Sequence, residues 1–165
     1  MLEMQMTKDE IDLVWREISR IETCMMVTQD GSLVRARPMV GVADRSAGTI
    51  WFVTSRADHK DDQLRRDPRV CLSYVDTERK TYVSVSGKAS LLSDRQKIEE
   101  LWTPNIEAWF DRGPDDPAAL LIAVRPEVAE VWDDPNAELI GALELLTASS
   151  GADEPGFRPG NKIKL

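Results

Sequence analysis

Apolar residues recur along this chain in two rhythms, one helical and one alternating, and the switches between them lay out the elements. Ile11, Val14, Trp15, Ile18 and Ile21 fall on one helical face, and Thr7 with Glu10 ahead of them has the form of a capping box. Such a helix packs across a sheet. Cys24 to Gln29 then reads as a first strand, Asp30-Gly31 as a turn able to take positive φ, and Leu33 to Ala43 as the returning strand. Pro38 has no N–H to give to a ladder, so the second strand is expected at an edge or with a bulge. Asp44 to Gly48 turns the chain, and Thr49 to Ser55 is a third strand. A short helix is expected from Lys60 to about Arg66, stopped by Asp67-Pro68, with a fourth strand over Val70 to Asp76.

Thr77 to Lys80 reads as a charged turn and Tyr82 to Leu92 as a long fifth strand, bent or bulged at Gly87. Ser93 with Gln96 forms a second capping-box pattern, opening a helix whose apolar positions are Ile98, Leu101 and Trp102. Trp109 and Phe110 precede a turn-rich stretch, Gly113 to Pro117. Ala119 to Val124 is expected as a sixth strand broken at Arg125-Pro126, Ala129 to Trp132 as a seventh, and Leu139, Ile140, Leu143 and Leu146 as a last helix. Six or seven short strands with tight turns, and helices at the corners and ends, imply a mainly β fold (α+β) built as a small antiparallel barrel. The helix between the third and fourth strands is too short for a usual parallel crossover. The chain is expected to form one domain over residues 1–150. A Gly- and Pro-containing C-terminal arm would follow over 151–165.

Composition narrows the function. The chain has 165 residues, 42% hydrophobic and 30% charged, with a formal charge of −8 and a pI near 4.7. An acidic balance of this size argues against nucleic-acid or anionic-membrane partners. No apolar run reaches the roughly 18 residues that span a bilayer, and the first residues lack the form of a signal peptide. Cys24 and Cys71 each sit in an apolar strand-like run, which suits buried free thiols in a reducing cytoplasm. His59 is the sole histidine, so one chain cannot build a multi-histidine metal centre.

Within this acidic chain, cations collect around one strand pair. Arg35 and Arg37 are two apart in a strand and share a face. Thr54 and Ser55 end an apolar strand, and a short loop leads to Lys60 at a helix start. Hydroxyls, a cation and exposed N–H groups are the parts of an anion site, here read as Arg37, Thr54, Ser55 and Lys60 around a phosphate. Taken by spacing alone, the same residues also fit a basic strand followed by a solvated loop.

Arg37-Pro-Met39, Phe52-Val-Thr-Ser55, His59-Lys60, Asp67-Pro-Arg-Val70 and Ser86-Gly-Lys-Ala89 together resemble the flavin-binding split-barrel superfamily of pyridoxamine 5′-phosphate oxidase. Leu101-Trp-Thr-Pro104, Asp115-Asp-Pro117 and Val131-Trp-Asp133 look closest to its general-stress-protein branch. The resemblance implies a split β-barrel and a homodimer with two FMN sites at the subunit boundary. By position, Arg37 and Lys60 would neutralise the FMN phosphate, and Thr54 and Ser55 would donate hydrogen bonds to it. Main-chain groups around Pro38, Met39, Val40 and Val53 would edge the isoalloxazine ring. Tyr82 stands where the oxidase has a flavin-touching glutamine, and a phenol cannot reproduce a two-ended amide. His59 stands where the oxidase has arginine, at the phosphate or facing solvent.

Five tryptophans are many for this length. Trp15 and Trp51 lie on apolar faces and read as core. Trp102, Trp109 and Trp132 suit either a flavin cleft or packing at a core or interface. The C-terminal segment Gly156 to Leu165 does not match the oxidase's substrate-binding ending, which argues against pyridoxal phosphate synthesis. The implied function is an FMN-dependent oxidoreductase with a nicotinamide donor. The alternative is a non-catalytic FMN store or stress sensor. Haem is disfavoured, since it needs a well-placed axial ligand.

Overall fold

The computed structural model describes residues 8–56, 60–133 and 161–164. Helix α1 (Lys8–Ile21) leads into strands β1 (Thr23–Asp30), β2 (Leu33–Asp44) and β3 (Thr49–Ser55). Helix α2 (Lys60–Arg66), strands β4 (Arg69–Asp76) and β5 (Thr81–Leu92), and the short helices α3 (Arg95–Glu100) and α4 (Pro104–Glu107) follow. A 3-10 turn (Gly113–Asp115) precedes the long strand β6 (Ala119–Asp133), and β7 (Asn161–Lys164) is the last described strand. The expected helix over Leu139 to Leu146, and Thr7 of the first capping box, lie outside the described residues.

The strands run in the order β3-β2-β1-β4-β5-β6, and β3 also pairs with β6, which closes the sheet into an antiparallel ring. This is the expected barrel, and it is split. β2 pairs with β1 from Leu33 to Val40 but with β3 only from Gly41 to Asp44. Among the described residues, the first two thirds of β2 therefore has a neighbour on one side only, and Pro38 sits in that part, opposite Met25. An imino acid is tolerated there because the missing N–H costs no ladder bond.

Alternation decides what fills the ring. Cys24, Met26 and Thr28 of β1, Leu72 and Tyr74 of β4, Val83 and Val85 of β5, and Ile50 and Phe52 of β3 point inward and are buried. α1 lays Val14, Trp15 and Ile18 against this core. A second, smaller cluster of Ile98, Phe110, Ala119 and Leu121 forms where α3 and α4 cover the outside of β3 and β6.

Two sequence expectations need correction. The sixth and seventh strands are one strand, β6, because the Arg125-Pro126 step is absorbed by a bulge. Gly87 pairs with Pro126 and Ser86 with Val128, leaving Glu127 as the extra residue. The irregularity expected at Gly87 is thus present as a register shift, but the bulged residue is on the opposing strand, and that bulge is what lets β6 run on. The seventh strand is instead Asn161–Lys164, which pairs with Val128 to Val131. The cap of α3 is Asp94, not Ser93: Asp94 accepts from the Lys97 N–H at 3.1 Å. Ser93 has another partner, since its hydroxyl lies 3.2 Å from the Arg56 Nη2 donor.

Candidate functional site

Lys60 opens α2, and Asp67 N–H closes that helix on the Gln63 carbonyl at 2.9 Å. Asp61 and Asp62 in its first turn and Arg65 and Arg66 in its last complement the helix dipole. Its inward face is Gln63 and Leu64, both buried. Arg37 stands directly opposite Met26 across the β1–β2 ladder, so it shares the inward face with that core residue. Its Nη2 donates to Gln63 Oε1 at 2.8 Å, and Thr28 Oγ1 donates to the same oxygen at 3.0 Å. Gln63 is 7% exposed and Thr28 2%. One amide oxygen thus ties α2 to β1 and β2. Arg35, on the same face but nearer the rim, pairs instead with Asp30 at 3.2 Å in the open.

Thr54 and Ser55 end β3 opposite Leu120 and Ala119. Strand alternation sends them to opposite faces: Thr54 is buried on the Phe52 side, and Ser55 is half-buried on the side of Trp51 and Val53. Thr54 therefore shares the barrel interior with Arg37, and Ser55 does not. His59 lies outside the described residues.

Pro38, Met39 and Val40 lie along the one-sided part of β2. Met39 faces Cys24 in the core and Val40 faces Thr23, half exposed. Val53 packs with Trp51 beneath α3 and α4. Tyr82 and Trp132 face each other across β5 and β6 on the outside of the barrel, in a row with Val75 of β4. Trp102 is tilted against Phe110, with centroids 5.4 Å apart. Trp109, by contrast, is 83% exposed. Trp15 is core as expected, while Trp51 is only half-buried and carries the Lys97 Nζ at 5.1 Å from its ring centroid. Cys24 is buried and its thiol is pushed up to about 12 by desolvation, whereas Cys71 is half-buried beside the Ser84 hydroxyl at 3.4 Å.

The candidate residues therefore fall into three groups. Arg37 gathers with the start of α2 at one end of the barrel. Tyr82, Trp132 and Val40 belong to the outer face of the sheet. Trp102 and Val53 belong to the small cluster under α3 and α4. Sequence reasoning missed Gln63 and Thr28, whose signal is slight: a polar residue beside Leu64 on the buried side of a short helix, and a threonine at an inward strand position. A cavity of about 400 Å³ between α1 and the β2–β3 turn lies apart from all three groups, lined by Trp15, Arg45 and Arg125.

A family model described as pyridoxamine 5′-phosphate oxidase like matches residues 9–155. The chain belongs to the pyridoxamine 5′-phosphate oxidase-like family. General stress protein 26 of Bacillus subtilis is 31% identical over 86 residues, covering 48% of this chain and 58% of that protein. Protein bli-3 of Neurospora crassa is 31% identical over 112 residues, covering 61% of this chain and 54% of its own length. The chain thus spans just over half the length of these curated relatives. Among solved structures, a general stress FMN/FAD binding protein from Xanthomonas citri is 26% identical, with a TM-score of 0.68 over 78% of this chain and 92% of that one. A general stress protein 26 homologue from Jannaschia superposes with a TM-score of 0.69 over 95% of this chain and 98% of its own at 22% identity, a likeness of fold. Among the described residues of this family member, no helix is long and apolar enough to cross a membrane.

Proposed function

We propose that this chain is an FMN-binding protein of the general stress type, with the flavin phosphate at the Arg37 end of the barrel and a nicotinamide-linked redox role. The observation that carries the reading is Arg37 fixed on the inward face of a one-sided strand, hydrogen-bonded to α2 one helical turn from Lys60. In this reading Lys60, Thr54 and His59 complete the phosphate site, and Ser55, on the other face of β3, takes no side-chain part in it. Membership of the family and likeness to a protein described as FMN/FAD binding support the same choice. The one-sided stretch of β2 offers main-chain groups at Pro38, Met39 and Val40 to the polar rim of the isoalloxazine ring, with the main chain at Val53 beside it. The bound flavin supplies the redox chemistry; the side chains of this protein hold it, orient it and limit water.

The site is shared by two copies of the chain in this proposal. The outer face of the sheet exposes Met25, Val40, Val42, Val75 and Val128, with Tyr82 and Trp132 among them. A sheet face that carries several exposed apolar side chains, here with the Ser73, Ser84 and Glu130 row between them, suits a protein contact. Trp102, Trp109 and Trp132 then flank or cover the flavin, and Trp109 has the exposure needed to reach across a subunit boundary.

Titration with FMN and riboflavin tests the reading. Arg37→Ala should weaken FMN by about 1.5–3 kcal/mol, on the order of 10- to 150-fold in Kd, and leave riboflavin nearly unchanged. Equal losses for the two ligands would remove the phosphate from Arg37. Steady NAD(P)H oxidation by the FMN-loaded protein separates a reductase from a flavin store, which binds without turnover.

A further inference from the structure

We infer that Gln63 is the positioning residue of the phosphate end, a neutral amide that holds the Arg37 guanidinium in place toward a phosphate monoester dianion without itself neutralising it. The inference rests on the FMN reading above and assigns a role to a residue outside the flavin contacts.

Arg37 carries only donors, so the atom that Gln63 turns toward it has to be the amide oxygen. The same oxygen also accepts from Thr28, at 3.0 Å against 2.8 Å for Arg37. Two donors from two strands thus converge on one acceptor from α2, and both Gln63 and Thr28 are almost fully buried. The geometry is over-determined: moving the amide leaves the Thr28 hydroxyl of the barrel interior without this acceptor, a costly loss in a buried site. A long, flexible arginine is thereby held in one direction, as preorganised recognition of an anion requires.

The residue type matters as much as the place. A glutamate at position 63 would reach the same donors and would pair with Arg37 more strongly, since a carboxylate accepts charge-assisted hydrogen bonds. It would also cancel the cation and repel a phosphate. The first turn of α2 already holds Asp61 and Asp62, so a third carboxylate there would turn the local field against an anion. A neutral amide orients without neutralising. A residue that merely fills the core would show no such preference between amide and acid.

The test uses the full chain, with Gln63→Glu, Gln63→Met and Thr28→Val compared with wild type. Each is titrated with FMN and with riboflavin and melted without ligand. Gln63→Glu should keep the apo melting temperature at or above that of Gln63→Met, yet bind FMN at least about tenfold more weakly than wild type. Riboflavin affinity should stay within about twofold. Thr28→Val should lose FMN affinity by a smaller factor in the same direction. If Gln63→Glu does not fold, Gln63→Met decides: a reduced FMN-to-riboflavin preference supports the role, and an unchanged one overturns it. Wild type preferring FMN while Gln63→Glu keeps that preference overturns the role of Gln63 alone. A wild-type chain that treats FMN and riboflavin alike overturns the phosphate site and this inference with it.

Discussion

Gly41 and Gly87 each occupy a place where a side chain has no room. A Cβ at Gly87 would lie 2.3 Å from the Arg125 carbonyl oxygen, a backbone atom of the opposing strand. A Cβ at Gly41 would lie 2.5 Å from the ring of Phe52, which is itself buried. Neither obstacle is the free end of a flexible side chain. Gly87→Ala and Gly41→Ala should each destabilise the protein by about 1–3 kcal/mol in urea unfolding, through overpacking. Gly87→Ala should cost more, because the atom it meets belongs to the bulge that keeps β6 continuous. A shift of less than about 0.5 kcal/mol at Gly87 would contradict the close approach described here. At this scale the sequence was partly legible. Gly87 inside a strand pattern announced an irregularity, and Pro38 announced a one-sided strand. Gln63 did not announce itself, since a glutamine on a short charged helix ordinarily faces water and only the fold brings Thr28 and Arg37 to it.

Elements are joined here by a few charged contacts as well as by apolar faces. On α1, Glu17 is buried and accepts from Arg20 Nη2 at 2.7 Å and from Arg16 Nε at 3.1 Å, while Arg20 also pairs with Asp76 at the end of β4. Burial raises the affinity of the Glu17 carboxyl for a proton, but the hydrogen bonds from Arg20 and Arg16 outweigh it and hold the group below its ordinary value. The Arg20 hydrogen bond lowers Asp76 in the same way. Carboxyls depressed by folding stabilise the native state above their unfolded values and lose that contribution as pH falls through the folded ones. Arg20→Ala should therefore lower stability at neutral pH, where both carboxyls are ionised. The difference in Tm between wild type and variant should then narrow between about pH 5 and pH 2. A gap that stays constant over that range would assign the loss to packing of the arginine stem.

The ends of these elements were readable wherever local chemistry decides them. β3 and α2 begin and end at the expected residues, because turn residues, a proline and dipole-matched charges mark them. Where a distant residue competes, local reading failed. Arg56 claims the Ser93 hydroxyl, so capping of α3 passes to Asp94. The bulge opposite Gly87 absorbs Pro126, so a proline expected to end a strand does not. Closure of β3 on β6 was likewise out of reach of any local pattern, since it joins residues 50–55 to residues 119–124.

The whole molecule shows water an apolar sheet face that includes Val40 at 50% and Val75 at 51% exposure. If that face is the subunit contact proposed above, Val75→Lys places a charge inside it and should convert the dimer to monomer in light scattering. The far-ultraviolet circular dichroism should be retained, because Val75 contributes nothing to the barrel interior. FMN affinity should fall with the dimer. A Val75→Lys chain that remains dimeric with unchanged flavin binding would move the contact elsewhere.

The closure of β3 on β6 also has a consequence for how this chain is made. β3 leaves the ribosome early, and its partner emerges only after two further strands and the helices α2, α3 and α4 have followed, at about 5–20 residues per second. For a time on the order of seconds, the nascent sheet has an open β3 edge lined by Ile50 and Phe52, and no local turn can cover it. Slowing translation before β6 should lengthen the interval in which that edge is open and lower the yield of native protein.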